Sequence, residues 1–268
     1  MKSSESDERS EEGFAFHFKN IFILTLMNRL MVKKGLKVSL VIPVYNEAKV
    51  IEEVIRDCHK KIISKLPGSE FIISEDGSND GTKEILKKLE KELNLRLVMG
   101  DERKGYPKSI RDALQLPKNE LVLFSDSDGQ HEPDDFWKLL EKTGKCDIVI
   151  GHKLKRNDPF HRLIFSRGYN FLVGLLLGLW LKDVDSGFRI YKKKVLKDVL
   201  KKSATLKECT NSEITIRAFK KGYKVCEVPV KHYARKYGET KSFKASKLAK
   251  VIYELFTGLL RLRSELNK

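Results

Sequence analysis

The feature that most constrains the fold is an alternation of short apolar runs with helical spacing that begins at Lys37. Val38–Val44 (VSLVIPV) is an apolar run with the pattern of a strand buried on both faces. Val50, Val54, Ile55 and Ile62 then follow at helical spacing. The alternation repeats, with strands predicted at Glu70–Ser74, Arg96–Met99, Leu121–Ser125 and Asp147–Gly151. Helices are predicted between them at 81–93, at 107–114 and from Pro133 onward. Strands separated by helices imply a mostly parallel sheet with helices on both faces, because parallel neighbours need crossover connections. Further along, the pattern predicts a long helix over Phe160–Leu181, a strand over Gly187–Tyr191, helices near 194–201 and 211–221, and a strand over Lys224–His232. The stripe Leu248, Val251, Ile252, Leu255, Phe256, Leu259 and Leu262 marks a C-terminal amphipathic helix.

Residues 1–13 are polar, acidic and serine-rich and read as a disordered tail. Residues 14–36 form an amphipathic segment that either packs on the domain or lies on a membrane; 37–242 are the α/β domain and 243–268 the C-terminal helix. The chain's formal charge is +16, and it is unevenly placed. Residues 1–151 carry 25 basic and 27 acidic groups, whereas 152–268 carry 28 basic and 10 acidic. The second half is therefore suited to a polyanion, an anionic membrane or a phosphorylated substrate. A nucleic-acid partner is the rival reading of that charge, but no reader motif or aromatic platform accompanies it. The longest uncharged stretch, Gly168–Leu181, has 14 residues, too few for a spanning helix. Four cysteines without CxxC spacing are expected to be reduced packing residues.

Ligands of open α/β sheets bind outside the carboxyl ends of the strands. Three predicted strands end there in polar clusters: Pro43-Val44-Tyr45-Asn46-Glu47, Glu75–Thr82 (EDGSNDGT) and Ser125–Gln130 (SDSDGQ). Each alone could be a turn with a helix cap. Asp126 and Asp128, one residue apart just past a strand, can converge on Mg²⁺ or Mn²⁺, whose shell substrate phosphates would complete. Such a site neutralises a departing diphosphate. Neither GxxxxGK[ST] nor a GxGxxG after the first strand is present. His131, beside the acidic turn, reads either as a ligand or as an exposed helix-start residue.

The segments VSLVIPVYNEAKVIEEVI, EDGSNDGT and SDSDGQHEPDDF, in this order and spacing, resemble the GT-A fold of the family 2 glycosyltransferases. DVDSGFRIYKK and the 211–243 segment are similar to the dolichyl-phosphate mannose synthase branch, which moves a hexose from a nucleotide sugar to a polyprenyl phosphate. The resemblance implies that Pro43, Tyr45 and Glu47 contact the nucleotide and that Asp76 reads the base. It implies that Asp126, Asp128 and Gln130 surround the metal and donor diphosphate. Arg189, Arg235 and Lys241, with Lys153 and Arg167, would hold donor and acceptor phosphates. Glu213 falls where the wider family places an acid near the acceptor, and reads equally as a helix-surface charge.

Two segments depart from the family pattern: Arg103-Lys104-Gly105-Tyr106-Pro107-Lys108 after the third strand, and Gly151-His152-Lys153 after the fifth. Lysine keeps the charge of arginine but loses its bidentate fork. The implied reaction is a metal-dependent, inverting transfer of a hexose, with mannose from GDP-mannose favoured, to dolichyl or polyprenyl phosphate; the alternative is a GT-A transferase that uses UDP-glucose or another donor and a glycan, glycolipid or protein acceptor. The acceptor phosphate, with a second pKa near 6, is largely dianionic at neutral pH and needs little help from a base. The apolar 168–181 stretch reads as a core helix or as the border of a lipid groove. The implied location is peripheral, at the cytoplasmic face of a membrane.

Overall fold

The protein's structure, a computed structural model, describes residues 35–154, 160–202, 204–206, 208–235 and 248–267. The acidic tail, nearly all of the 14–36 segment and Lys241 lie outside the described residues.

The predicted alternation is realised as a 7-stranded sheet in the order β3-β2-β1-β4-β6-β5-β7. The strands are β1 (Val38–Val44), β2 (Glu70–Glu75), β3 (Arg96–Met99), β4 (Leu121–Ser125), β5 (Ile148–Lys153), β6 (Phe188–Lys192) and β7 (Val225–Val230). Only β6 runs against its neighbours, pairing antiparallel with both β4 and β5. The helices are α1 (Ile51–Lys61), α2 (Thr82–Leu93), α3 (Tyr106–Ala113), α4 (Phe136–Leu140), α5 (Phe160–Leu177), α6 (Lys193–Val199), α7 (Thr210–Lys220) and α8 (Leu248–Leu266).

Alternate residues of β1 feed two cores, as a strand covered on both faces requires. Leu40 and Ile42 pack with α1, α2 and α4, through Ile55, Leu86 and Phe136. Val41 packs on the other face with α3, α6 and α7, through Ile110, Leu196 and Ile214. A third cluster joins Val173 and Leu177 of α5 to Leu255, Leu259 and Leu262 of α8.

The α5 helix ends at Leu177 rather than at the predicted Leu181, because Gly178 takes φ +72° and donates its amide to the Gly174 carbonyl at 2.8 Å. The chain then turns back so that Trp180 lies on Gly174, where any Cβ would meet the indole ring. The helix is both core and surface. Tyr169, Val173 and Leu177 are buried, while Ile164, Phe171 and Leu175 face outward beside Trp180.

One expectation fails outright. Cys146 and Cys226 are joined by a disulfide, with Cα atoms 6.0 Å apart across 80 residues of sequence. They meet because β5 and β7 are neighbours in the sheet, a proximity that sequence spacing does not announce. Cys58 and Cys209 are free and buried.

The topology explains where a site can form. The chain lays β2 and β3 on one side of β1 and β4 on the other, so β1 and β4 flank a switch point. Since β6 is antiparallel, its start at Phe188 lies beside Ser125 at the end of β4. Lys153 and Val230, at the ends of β5 and β7, share a register position. The carboxyl ends of the six parallel strands and the start of β6 therefore lie on one edge of the sheet.

Candidate functional site

The loops after β1 and β2 are stitched to each other. The amides of Asn46, Glu47 and Ala48 donate to the side chains of Ser78, Thr82 and Asp80 at 2.9, 3.0 and 3.1 Å. Asn79 donates its amide to Asn46 Oδ1, and Asn46 Nδ2 donates back to Asn79 Oδ1. Much of the EDGSNDGT motif is thus scaffold, which satisfies backbone groups of a loop that would otherwise lack partners. Asp76 is the exception in direction. Its buried carboxylate accepts the amides of Lys104 and Gly105 at 2.9 and 3.1 Å, and so pins the loop after β3. Gly77, at φ +75°, lets that loop approach, because a Cβ there would lie 2.6 Å from the Glu102–Arg103 backbone. The Arg103 guanidinium sits 4.3 Å from the centre of the Tyr45 ring. Pro43 is buried within β1, behind this face.

The acidic turn after β4 holds the remaining polar groups. Asp126 donates its amide to the Gly187 carbonyl at 2.9 Å. Asp128 accepts the Gln130 amide at 3.1 Å. Gln130 Nε2 donates to the Tyr233 carbonyl at 2.9 Å, which leaves its Oε1 as the acceptor end of the side chain. Shielding from water and the charge of Asp128 push the Asp126 carboxyl up to about 7, with Lys153 and Arg189 opposing them. Asp185, also shielded, is pushed up to about 6 although Arg189 and Ser212 favour its ionised form. Among the described residues neither Asp126 nor Asp128 is in an ion pair with Lys, Arg or His. Two neighbouring carboxylates at i and i+2, one of them shielded and raised by the charge of the other, fit a divalent metal ion. No cluster of three or more His, Cys, Asp or Glu ligands occurs among the described residues.

A strap from β7 crosses this turn. His232 forms an isolated antiparallel bridge with His131, and the Tyr233 amide donates to the Gln130 carbonyl at 2.8 Å. Tyr233 Oη donates to Glu132 Oε2 at 2.9 Å. Arg235 then reaches Glu47 at 2.5 Å, closing the site between the first and last strands. His131 stacks on Phe188 with ring centroids 5.2 Å apart, and burial holds its pKa well below the usual histidine range. It is a packed, neutral ring, neither exposed nor part of a ligand cluster.

Two expected site residues are elsewhere engaged. Arg189 is fully buried and spends all of its donors inside the fold. Its Nε bonds the Ser186 carbonyl, Nη1 the Asn211 carbonyl and Thr215 Oγ1, and Nη2 the Val184 and Ser186 carbonyls. It holds the 184–186 loop against α7 and cannot also grip a phosphate. Glu213 is equally buried. Its Oε1 accepts Arg217 Nε at 2.7 Å, and its Oε2 accepts the amides of Thr205 and Leu206 at 2.8 and 2.7 Å. It anchors the 204–206 loop instead of meeting an acceptor. Of the other basic candidates, Lys153 lies near enough to Asp126 to act on its charge, and Arg167 is exposed on the outer face of α5.

Sequence reasoning passed over Asp185 and Tyr106. Asp185 Oδ1 accepts the amide and hydroxyl of Ser212 at 3.0 and 2.8 Å, on the approach to β6. Tyr106, the first residue of α3, places its hydroxyl 3.5 Å from Asp126 Oδ1. The only signal for either was position: one lies in the DVDSGFR segment and the other in the segment that departs from the pattern.

Comparison with known proteins gives the chain a family and a fold. The profile of glycosyl transferase family 2 matches residues 39–200, more than half of the chain. Glycosyltransferase AglD of Haloferax volcanii is 29% identical over 205 residues, 73% of this chain and 33% of that protein, so the chain spans a third of that relative's length. The UDP-N-acetylglucosamine–dolichyl-phosphate N-acetylglucosaminyltransferase of Methanococcus voltae is 28% identical over 242 residues, 81% of this chain and 94% of that protein. Among solved structures, glucosyl-3-phosphoglycerate synthase from Mycobacterium tuberculosis, in complex with Mn²⁺, UDP and phosphoglyceric acid, superposes with a TM-score of 0.67 at 18% identity. That match covers 87% of this chain and 80% of the synthase, and it establishes the GT-A fold.

Proposed function

The chain belongs to glycosyl transferase family 2, and we propose that it moves a sugar from a nucleoside diphosphate sugar to a polyprenyl phosphate with the help of a divalent cation. The observation that carries the reading is the Asp126–Asp128 turn. It lies beside the β1/β4 switch point, next to a shielded Asp185 whose charge also acts on Asp126. Asp126 and Asp128, with Gln130 Oε1, would hold Mg²⁺ or Mn²⁺, which when bound supplies positive charge to a leaving diphosphate.

The remaining work falls to side chains. Tyr45, Glu47 and Asp76 line the nucleotide end. Lys153 and Arg235 supply fixed positive charge where phosphates of donor and acceptor meet. An acceptor phosphate that is already dianionic needs positioning in line with the anomeric carbon more than proton removal. That requirement agrees with Glu213 being committed to the fold. A single displacement of this kind inverts the anomeric centre.

A lipid acceptor is supported by the dolichyl phosphate in the Methanococcus relative's name. It is supported also by the outward face of α5, where Phe171, Leu175 and Trp180 are 57–63% exposed beside Arg167. An exposed apolar stripe with a cation at its edge suits a membrane surface. No helix among the described residues is long and apolar enough to cross a membrane. The donor expected from sequence is GDP-mannose, whereas the relative is named for UDP-N-acetylglucosamine.

The test is transfer of labelled sugar from a panel of GDP- and UDP-sugars to a short-chain polyprenyl phosphate, with and without Mn²⁺. Cation-dependent label in the lipid is expected from one donor. Label that enters only soluble glycans, or none with any donor, overturns the reading.

A further inference from the structure

The segment after β3 runs the length of the site. Asp76 pins the amides of Lys104 and Gly105, and the next residue, Tyr106, opens α3 with its hydroxyl 3.5 Å from Asp126 Oδ1. Tyr106 is half-exposed as a residue, while its hydroxyl end is turned inward to the shielded Asp126 carboxylate, where burial and that charge push its pKa up. The same carboxylate also packs against Gly187, where an added Cβ would overlap it. Asp126 is thus held between the Gly187 backbone and the Tyr106 phenol. Next to a carboxylate, a phenol hydroxyl stabilises only as donor. At 3.5 Å the contact is at the outer limit of a hydrogen bond, and such contacts often tighten when a ligand binds.

We propose that Tyr106 is a positioning residue for the cation site, its hydroxyl setting the direction in which Asp126 offers its free lone pairs. The assignment rests on the metal reading above. Groups that hydrogen-bond a metal ligand and fix its orientation typically change metal affinity about 10–100-fold when they are removed.

The experiment titrates Mn²⁺ into donor-free wild type, Y106F and D128A, following free Mn²⁺ by electron paramagnetic resonance, with Tm measured in EDTA. Wild type should bind and D128A should lose binding; absence of binding in wild type, or equal binding in D128A, overturns the metal reading and this assignment with it. Given binding in wild type, Y106F should weaken Mn²⁺ affinity about tenfold with Tm unchanged. An affinity within about twofold of wild type overturns the role of Tyr106 alone, as does a fall in Tm without a change in affinity. Should Y106F not fold, Y106W keeps an aromatic ring without the hydroxyl and carries the same comparison.

Discussion

Gly187 and Asp126 are packed so closely that the carboxylate of one occupies the space a side chain on the other would need, while the Asp126 amide donates to the Gly187 carbonyl at 2.9 Å. The antiparallel entry of β6 beside β4 creates this contact. Gly187 is needed there for its missing Cβ, not for an unusual backbone angle.

G187A should therefore damage function more than stability. Overpacking costs about 1–3 kcal/mol, whereas a displaced Asp126 should lower Mn²⁺ affinity and transfer rate at least about tenfold. Parallel urea melts and Mn²⁺ titrations check this; a variant with full Mn²⁺ affinity and only a lowered urea midpoint would remove Asp126 from the cation site.

The Glu47–Arg235 pair joins the first and last strand loops over the site. R235A should raise KM for the phosphate-bearing substrates about tenfold, the size of one charge-assisted hydrogen bond, and R235K should recover only part of it. If R235A loses Tm but keeps its KM values, the arginine merely ties down the strap.

Acidity should act in two separate windows. Asp126 and Asp185 have folded pKa values of about 7 and about 6 against 3.8 for the free group, so between these values the folded state binds more protons than the unfolded one. Stability of the metal-free protein then falls as pH rises from about 4 to 7, by an amount on the order of a few kcal/mol. Asp147 has the opposite sign: held at about 2 by the Lys224 amide, Lys192 and Lys194, it contributes stability that is lost only below pH 4. Melts in EDTA across pH 4–8 should slope downward, and added Mn²⁺ should flatten the slope. A flat profile in EDTA would contradict the shielding of the two carboxylates.

Glu213 should behave as a structural residue. E213A leaves the Arg217 guanidinium without its buried partner, a loss on the order of 3–5 kcal/mol. Activity per folded molecule, measured well below the transition, should stay within about twofold of wild type, because only population changes. A specific fall in kcat at unchanged stability would restore its expected role beside the acceptor.

The β-α alternation, the parallel sheet and the acidic turns at strand ends were legible because they are written locally. Apolar period, turn residues and carboxylate spacing are properties of short windows, and β1, β3 and β4 occupy the residues so predicted. Even the helix-end error at Leu177 was local, since Gly178 carried the signal. What the sequence determined alone was thus the sheet, its binding edge and the Asp126–Asp128 pair. Tertiary structure decided which charged residues face that edge. Arg189 and Glu213 stand in motifs that suggest catalysis, yet Arg189 is buried against α7 and Glu213 under the 204–206 loop, and a buried charge must spend its hydrogen bonds on the fold. Cys146 and Cys226, Glu47 and Arg235, and Tyr106 and Asp126 meet only because strands and loops distant in sequence become neighbours. Partners of that kind depend on sheet order, which no local window encodes.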